Sequence, residues 1–258
     1  MKKFSLIELL VVVAIIAILS SLLLPSLSKA RKTAKLTQCL STVRQMTIST
    51  HMYADDNDRY YPAAYANYGW DDLIASYYGL AWTDQEKSAN GMSSTNYNYS
   101  RLLCPSDTVA SESANKFRKS YVINDYKSSG NWNVGISGRE KTGSNNPAQD
   151  RIAESIKTTS ISNPSRTIVL GEHWNKWNLA GSGGDQSHGT TGYFYREYIF
   201  NPGTVAADKV SNHFGKGISN FSFADGSAKK MNSYQVLEGT PISNTLSNFR
   251  GSWFDSQQ

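Results

Sequence analysis

Phe4 to Leu24 form an apolar run of 21 residues in which Glu8 is the single charge. As a helix rising about 1.5 Å per residue the run reaches about 30 Å, the thickness of a bilayer's hydrocarbon core. A segment of that length and character can span a membrane. A carboxylate held in hydrocarbon costs on the order of a few kcal/mol unless it finds a partner, so Glu8 marks a functional position rather than a filler.

Two ordinary explanations leave Glu8 without a reason. A secretory signal peptide has a basic start, a short apolar region and a small-residue cleavage site. Lys2 and Lys3 supply the start, but the apolar region contains Glu8 and no A-x-A follows it. A plain membrane anchor explains the length and not the acid.

The segment Phe4-Ser5-Leu6-Ile7-Glu8-Leu9-Leu10, continued by Val11 to Leu19 and followed by Pro25, resembles the N-terminus of type IV prepilins and type II secretion pseudopilins. The resemblance implies cleavage by a prepilin peptidase between Lys3 and Phe4, methylation of the new amino group, and pairing of Glu8 with a neighbouring subunit's amine. The physics agrees, because a buried carboxylate wants a cation and the cut creates one at its depth. Lys3 stands where the family has Gly. The match covers about the first tenth of the chain, so it speaks to delivery and assembly rather than to what the remainder binds.

The expected fold class is α+β and pilin-like: a long N-terminal helix, membrane-spanning in its first half, packed on a β-rich globular head. The expected divisions are a leader at 1–3, a transmembrane and filament-core helix at 4–25, an amphipathic stalk at 26–54 and a head at 55–258. A chain of 258 residues has room for one span and one soluble domain of ordinary size.

The net charge of +5 raises the question of nucleic acid. Through Ala54, Lys2, Lys3, Lys29, Arg31, Lys32, Lys35 and Arg44 stand against Glu8 alone, leaving 19 of the 26 basic and 20 of the 21 acidic residues in the head. The basicity belongs to the stalk, so no nucleic-acid partner is expected, although the stalk could face an anionic lipid surface. A count of positive flanks would put the C-terminal side of the span in the cytoplasm. The family's orientation is the reverse. The expectation follows the family: a single-pass inner-membrane protein with its head in the periplasm or at the cell surface, partnered by the prepilin peptidase/methyltransferase and other pilin-like subunits.

Beyond Pro25 the helical pattern continues through Leu27, Ala30, Ala34, Leu36, Leu40 and Val43, with Cys39, Val43 and Met46 on an adjoining stripe. The whole helix, Ser5 to about Ala54, measures about 75 Å, too long for one compact domain. Pro25 removes one backbone hydrogen bond and is expected to bend or loosen the rod. The run Tyr53 to Pro62 resembles the helix-end segment of major pseudopilins. Asp55, Asp56 and Asp58 within it could offer calcium oxygens, but the EF-hand spacing is missing and a solvated turn is the simpler reading; no cofactor is expected. A short helix follows, with Asp71 or Asp72 as cap, Leu73, Ile74 and Tyr77 inward, and Gly79 as its end.

Expected strands are Tyr121 to Asn124, Arg166 to Leu170, Tyr193 to Phe200, and Ile218 to Phe223 paired with Ser227 to Met231 across Ala224-Asp225-Gly226. Gly/Ser/Asn-rich stretches at 128–150 and 180–191 read as loops. His213, with eleven residues before Asp225-Gly226, resembles a prepilin-like family whose heads end in a His and Asp-Gly motif with nine between. On physical grounds Asp225-Gly226 makes a hairpin turn and His213 hydrogen-bonds a loop.

Cys39 and Cys104 are the only cysteines. In an exported head they meet an oxidising compartment, where a bridge would pin the stalk to the head; two free buried thiols are the alternative. Nucleophile-elbow, zincin, paired C-x-x-C and phosphate-loop motifs are absent, so no enzyme is expected. Glu172-His173 with Asp225 forms a metal site only on paper; polar groups satisfied at strand ends are the simpler reading. The aromatic residues, 12% of the chain, suit either a core or a face for sugars or protein partners. The rival to a filament subunit is therefore a membrane-anchored, exported binding module that does not polymerise.

Overall fold

A computed structural model describes residues 5–63, 68–87, 97–111, 116–124, 136–137, 155–174, 178, 180, 213, 218–236, 253 and 256. The architecture is α+β: one long helix packed against a four-stranded antiparallel sheet. Helix α1 spans Leu6–Asp56, 51 residues, and continues through Pro25. It starts at a reciprocal cap. The Ile7 N–H donates to Ser5 Oγ at 3.3 Å and the Ser5 N–H donates to the Glu8 carboxylate at 2.8 Å. This satisfies two of the donors that a helix start leaves open. At the other end the Asn57 and Arg59 N–H groups both donate to the Ala54 carbonyl, and Asp58 and Arg59 take positive φ to reverse the chain.

Among the described residues, the second half of α1 is the part that meets the head. Its buried residues are Leu36, Cys39, Val43, Met46, Thr47, Ser49, Thr50, Tyr53 and Ala54. The seated stripe is thus the one through Cys39, Val43 and Met46; Leu27, Ala30 and Ala34 are exposed.

Strands β1 (Tyr121–Ile123), β2 (Ile168–Glu172), β3 (Ile218–Phe223) and β4 (Ala228–Asn232) lie in that order across the sheet. β2 starts two residues later than the sequence pattern predicts because the Arg166 and Thr167 N–H groups close a turn onto the Asn163 carbonyl. Its end therefore reaches Glu172. The expected strand at 193–200 lies outside the described residues, as do the loops at 128–150 and 180–191 apart from Ile136, Ser137 and Ala180.

The short helix α2 covers Trp70–Ile74 and corrects one expectation. Its cap position is Gly69, not an aspartate; Asp72 in the first turn instead accepts the Gly69 N–H at 2.7 Å. Leu73 and Tyr77 pack half-buried against the core, as expected, with the Tyr77 hydroxyl donating to Asp56 at 2.8 Å, and Tyr78 is buried beside them. The chain does turn at Gly79, at φ +72°. Helix α3 (Asp84–Lys87) and helix α4 (Ser233–Val236) are single turns at the periphery.

β3 is buried on both faces, which sets the layering. Asn220 and Ser222 face α1: the Asn220 amide donates to the Leu36 carbonyl at 3.4 Å and Thr47 donates to Ser222. The alternate residues, Phe221 and Phe223, line the opposite face, where Phe223 meets Trp253 edge-on at 5.6 Å. On β3, small polar residues thus meet the helix and the two phenylalanines fill the far side, while Val43, Met46 and Tyr53 of α1 pack into an apolar cluster with Tyr121, Val169 and Leu170. The β3–β4 hairpin turns as the sequence predicts, with the Gly226 N–H donating to Phe223 O, Gly226 at φ +80°, and Asp225 accepting the Ser227 N–H at 2.9 Å. An added Cβ at Gly226 would meet nothing within 4 Å, so only backbone strain opposes a side chain there. Gly226→Ala is expected to cost about 1–2 kcal/mol, read as a lowered thermal midpoint in detergent with the disulfide intact.

Candidate functional site

The first half of α1 is the largest unpartnered surface among the described residues. Every large apolar side chain from Leu6 to Leu27 is exposed, each by 47% to 79%. The helix is long and apolar enough there to cross a membrane. Such a continuous apolar rod is not stable in water and requires lipid or other helices around it. Glu8 lies near its start and caps its own helix through Ser5. The Ser5-x-x-Glu8 spacing is a capping-box signature that the sequence reading passed over in favour of the charge. Lys3 and Phe4 lie outside the described residues.

The rod is tied to the head by a covalent bond and a polar corner. Cys39 of α1 and Cys104 form a disulfide across 65 residues. In the chain-entropy model such a closure contributes about 4 kcal/mol. Beside it lie Glu172, at the end of β2, and His213, whose Nε2 is 3.0 Å from both carboxylate oxygens and 3.9 Å from Cys104 Sγ. Asn220 completes the corner by donating its backbone N–H and its amide to Glu172 at 2.8 and 3.1 Å. All of these side chains are buried, and Trp174 packs edge-on against the imidazole at 5.1 Å.

This corner corrects the sequence reading of His213. Its ring bonds Glu172 on a strand rather than a loop, while its backbone N–H donates to Ile218 O at the start of β3. Asp225 and Gly226 lie beyond the other end of β3, about 17 Å away at strand spacing. The structure does not bring His213 and Asp225 together; they serve two separate devices. The paper metal site of Glu172, His173 and Asp225 does not form either. Glu172 pairs with His213, and Asp225 sits close enough to His51 to act on its charge. Burial outweighs Asp55 and Asp225 there and lowers the His51 pKa.

The acidic turn after α1 is held by its own cations and hydroxyls. Asp55 pairs with Arg59, Asp56 accepts from Tyr77, and Lys157 lies over the Tyr60 ring. A bound calcium ion would have to compete with both cations.

A second ionic cluster went unread because its members are far apart in sequence. Lys119 and Asp71 are both fully buried and 2.6 Å apart, and the ammonium lies over the Trp70 ring at 5.1 Å. Burial, then the neighbouring Asp71 charge, pushes the Asp72 carboxyl up to about 9. An acid whose folded pKa exceeds its unfolded value contributes stability below the unfolded pKa and loses it as pH rises through the folded one. Stability is thus expected to fall as pH rises from about 4 towards about 9. Asp72→Asn should flatten that decline in thermal melts taken across the range.

The long apolar helix seated by one half on an antiparallel sheet is a pilin-like arrangement. Comparison with known proteins agrees in part. The chain is 46% identical over 59 residues to the type IV wide pilus major component PilA4 of Thermus thermophilus, a match covering 23% of this chain and 45% of that protein. No family model and no solved structure matches.

Proposed function

We propose that the chain is a structural subunit, not an enzyme, of a type IV pilus-like or type II secretion pseudopilus filament. The observation that carries this reading is the bare apolar half of α1, continuous with a half that is bolted to the head. The partial likeness to a major pilus component supports it. In this account residues 1–3 are a leader, 4–25 cross the inner membrane and later form the filament core, 26–54 are the stalk and 55–258 the exported head.

A prepilin peptidase cuts before Phe4 despite Lys3, and the new amine is methylated. Other subunits then replace lipid around the helix. Glu8 exchanges its own Ser5 N–H for a neighbour's terminal amine, which sets the register between helices. Pro25 lies where the lipid-facing part gives way to the stalk.

Mass spectrometry of the N-terminus of the native protein tests the processing: a methylated Phe4 is expected, and an intact Met1 would favour a permanently anchored binding module. Glu8→Ala is expected to leave the head's melting unchanged and to lower filament incorporation at least about tenfold, or about 1.4 kcal/mol per contact. Incorporation at the native level would remove the role given to Glu8.

A further inference from the structure

The corner beside the disulfide holds more ligand chemistry than a crosslink needs. Donor atoms of Cys39, Cys104, Glu172 and His213 all lie within 4.8 Å of one another, and all four residues are buried. They come from α1, the segment after the 3-10 turn Tyr97–Leu102, the end of β2 and the bridge to β3. We propose that reduction of the Cys39–Cys104 disulfide converts this corner into a tetrahedral site for Zn²⁺ or a similar divalent transition metal, with both thiolates, His213 Nε2 and a Glu172 oxygen as ligands.

The donor set is the argument's first part. Thiolate, imidazole and carboxylate are the three ligand types zinc takes in proteins, and four of them close a structural site. The second part is support that does not depend on the sulfur–sulfur bond. The Cys104 backbone N–H donates to Ser120 Oγ at 2.9 Å, and Ser120 in turn donates to Asp107. Cys39 is fixed between buried Leu36 and Val43 on α1. Asn220 clamps Glu172 with two N–H donors, and Trp174 and the His213–Ile218 backbone bridge orient the imidazole. Such outer partners hold metal ligands in place.

The third part is the contact between His213 and Glu172. The Nε2 nitrogen faces both carboxylate oxygens at 3.0 Å, so a metal would take the place of the hydrogen between them. At about 2.3 Å from the ion, the two sulfurs would stand about 3.8 Å apart in a tetrahedron.

The chemistry balances with a thiol or phosphine as reductant. Two external thiols give two electrons and two protons to the disulfide, leaving two protein thiols and one external disulfide. Metal binding then releases both thiol protons, and His213 binds through Nε2 as the neutral Nδ1–H imidazole, its Nε2 proton moving to Nδ1 or, from an imidazolium, to solvent. Two thiolates and a carboxylate around a dication leave one negative charge, which the Asn220 donors face. Crosslink and metal exclude each other, so the corner holds α1 to the head in either redox state.

The test uses the full chain in detergent, reduced with a phosphine under anaerobic conditions and titrated with Co²⁺ and then Zn²⁺. One equivalent of Co²⁺ should give a thiolate-to-metal charge-transfer band and the intense visible bands of a tetrahedral ion. Zn²⁺ should displace it, and the oxidised chain should give neither signal. Glu172→Gln and His213→Ala should each weaken binding by at least about tenfold. Should either variant fail to fold, X-ray absorption on the native sequence decides, with two sulfurs, one imidazole and one oxygen expected. A reduced chain without the charge-transfer band, a sulfur-bound ion lacking the imidazole signature, or folded variants that bind as tightly as the native chain would each overturn the site.

Discussion

A helix of about 75 Å cannot be covered by a single head, and that mismatch governs the rest of the structure. Its second half has a sheet to pack on, and its first half has no packing partner among the described residues. The seam between the two falls after the basic residues Lys29, Arg31, Lys32 and Lys35, all exposed, and before Leu36, the first buried residue of α1. The Cys39–Cys104 bond lies three residues inside the seam, where a pull on the rod would first peel it from the sheet.

The interface behind that bond combines an apolar stripe, Val43, Met46 and Tyr53, with a polar row on β3. Ser222, Asn220 and Thr47 meet where larger apolar side chains would ordinarily interdigitate, and each has its hydrogen-bond partner on the facing element. Buried groups of this kind contribute modestly when paired and cost about 1–3 kcal/mol when orphaned, so they specify one seating of the helix more than they strengthen it. The Glu172–His213–Asn220 corner and the Lys119–Asp71 pair extend the same logic into ionic groups. The aromatic load divides accordingly: Trp70, Tyr61, Tyr121, Phe221 and Phe223 are core.

Local signals were legible in the sequence, and long-range ones were not. The apolar run, the stripe through Cys39 and Val43, the Asp225-Gly226 hairpin and the stop at Gly79 each depend on neighbours within a few residues. The two cysteines left a bridge and free thiols both open in the sequence, and the fold joins them. By contrast, Glu172 and His213 are 41 residues apart, and Asp71 and Lys119 are 48 apart. No periodicity joins such pairs. His213 drew attention through a spacing to Asp225, yet β3 holds the two at opposite ends; spacing along a strand measures separation, not contact. The Ser5–Glu8 cap was readable, but the unusual charge of Glu8 masked its ordinary use.

The account stands or falls on whether the head owns only the second half of the helix. A chain lacking residues 1–28 tests that directly. It should be soluble without detergent, retain the Cys39–Cys104 bond and melt within a few degrees of the full-length protein. A truncated head that aggregates or melts far earlier would show that the apolar half supports its own domain, and the division of α1 into an exposed rod and a seated stalk would be wrong.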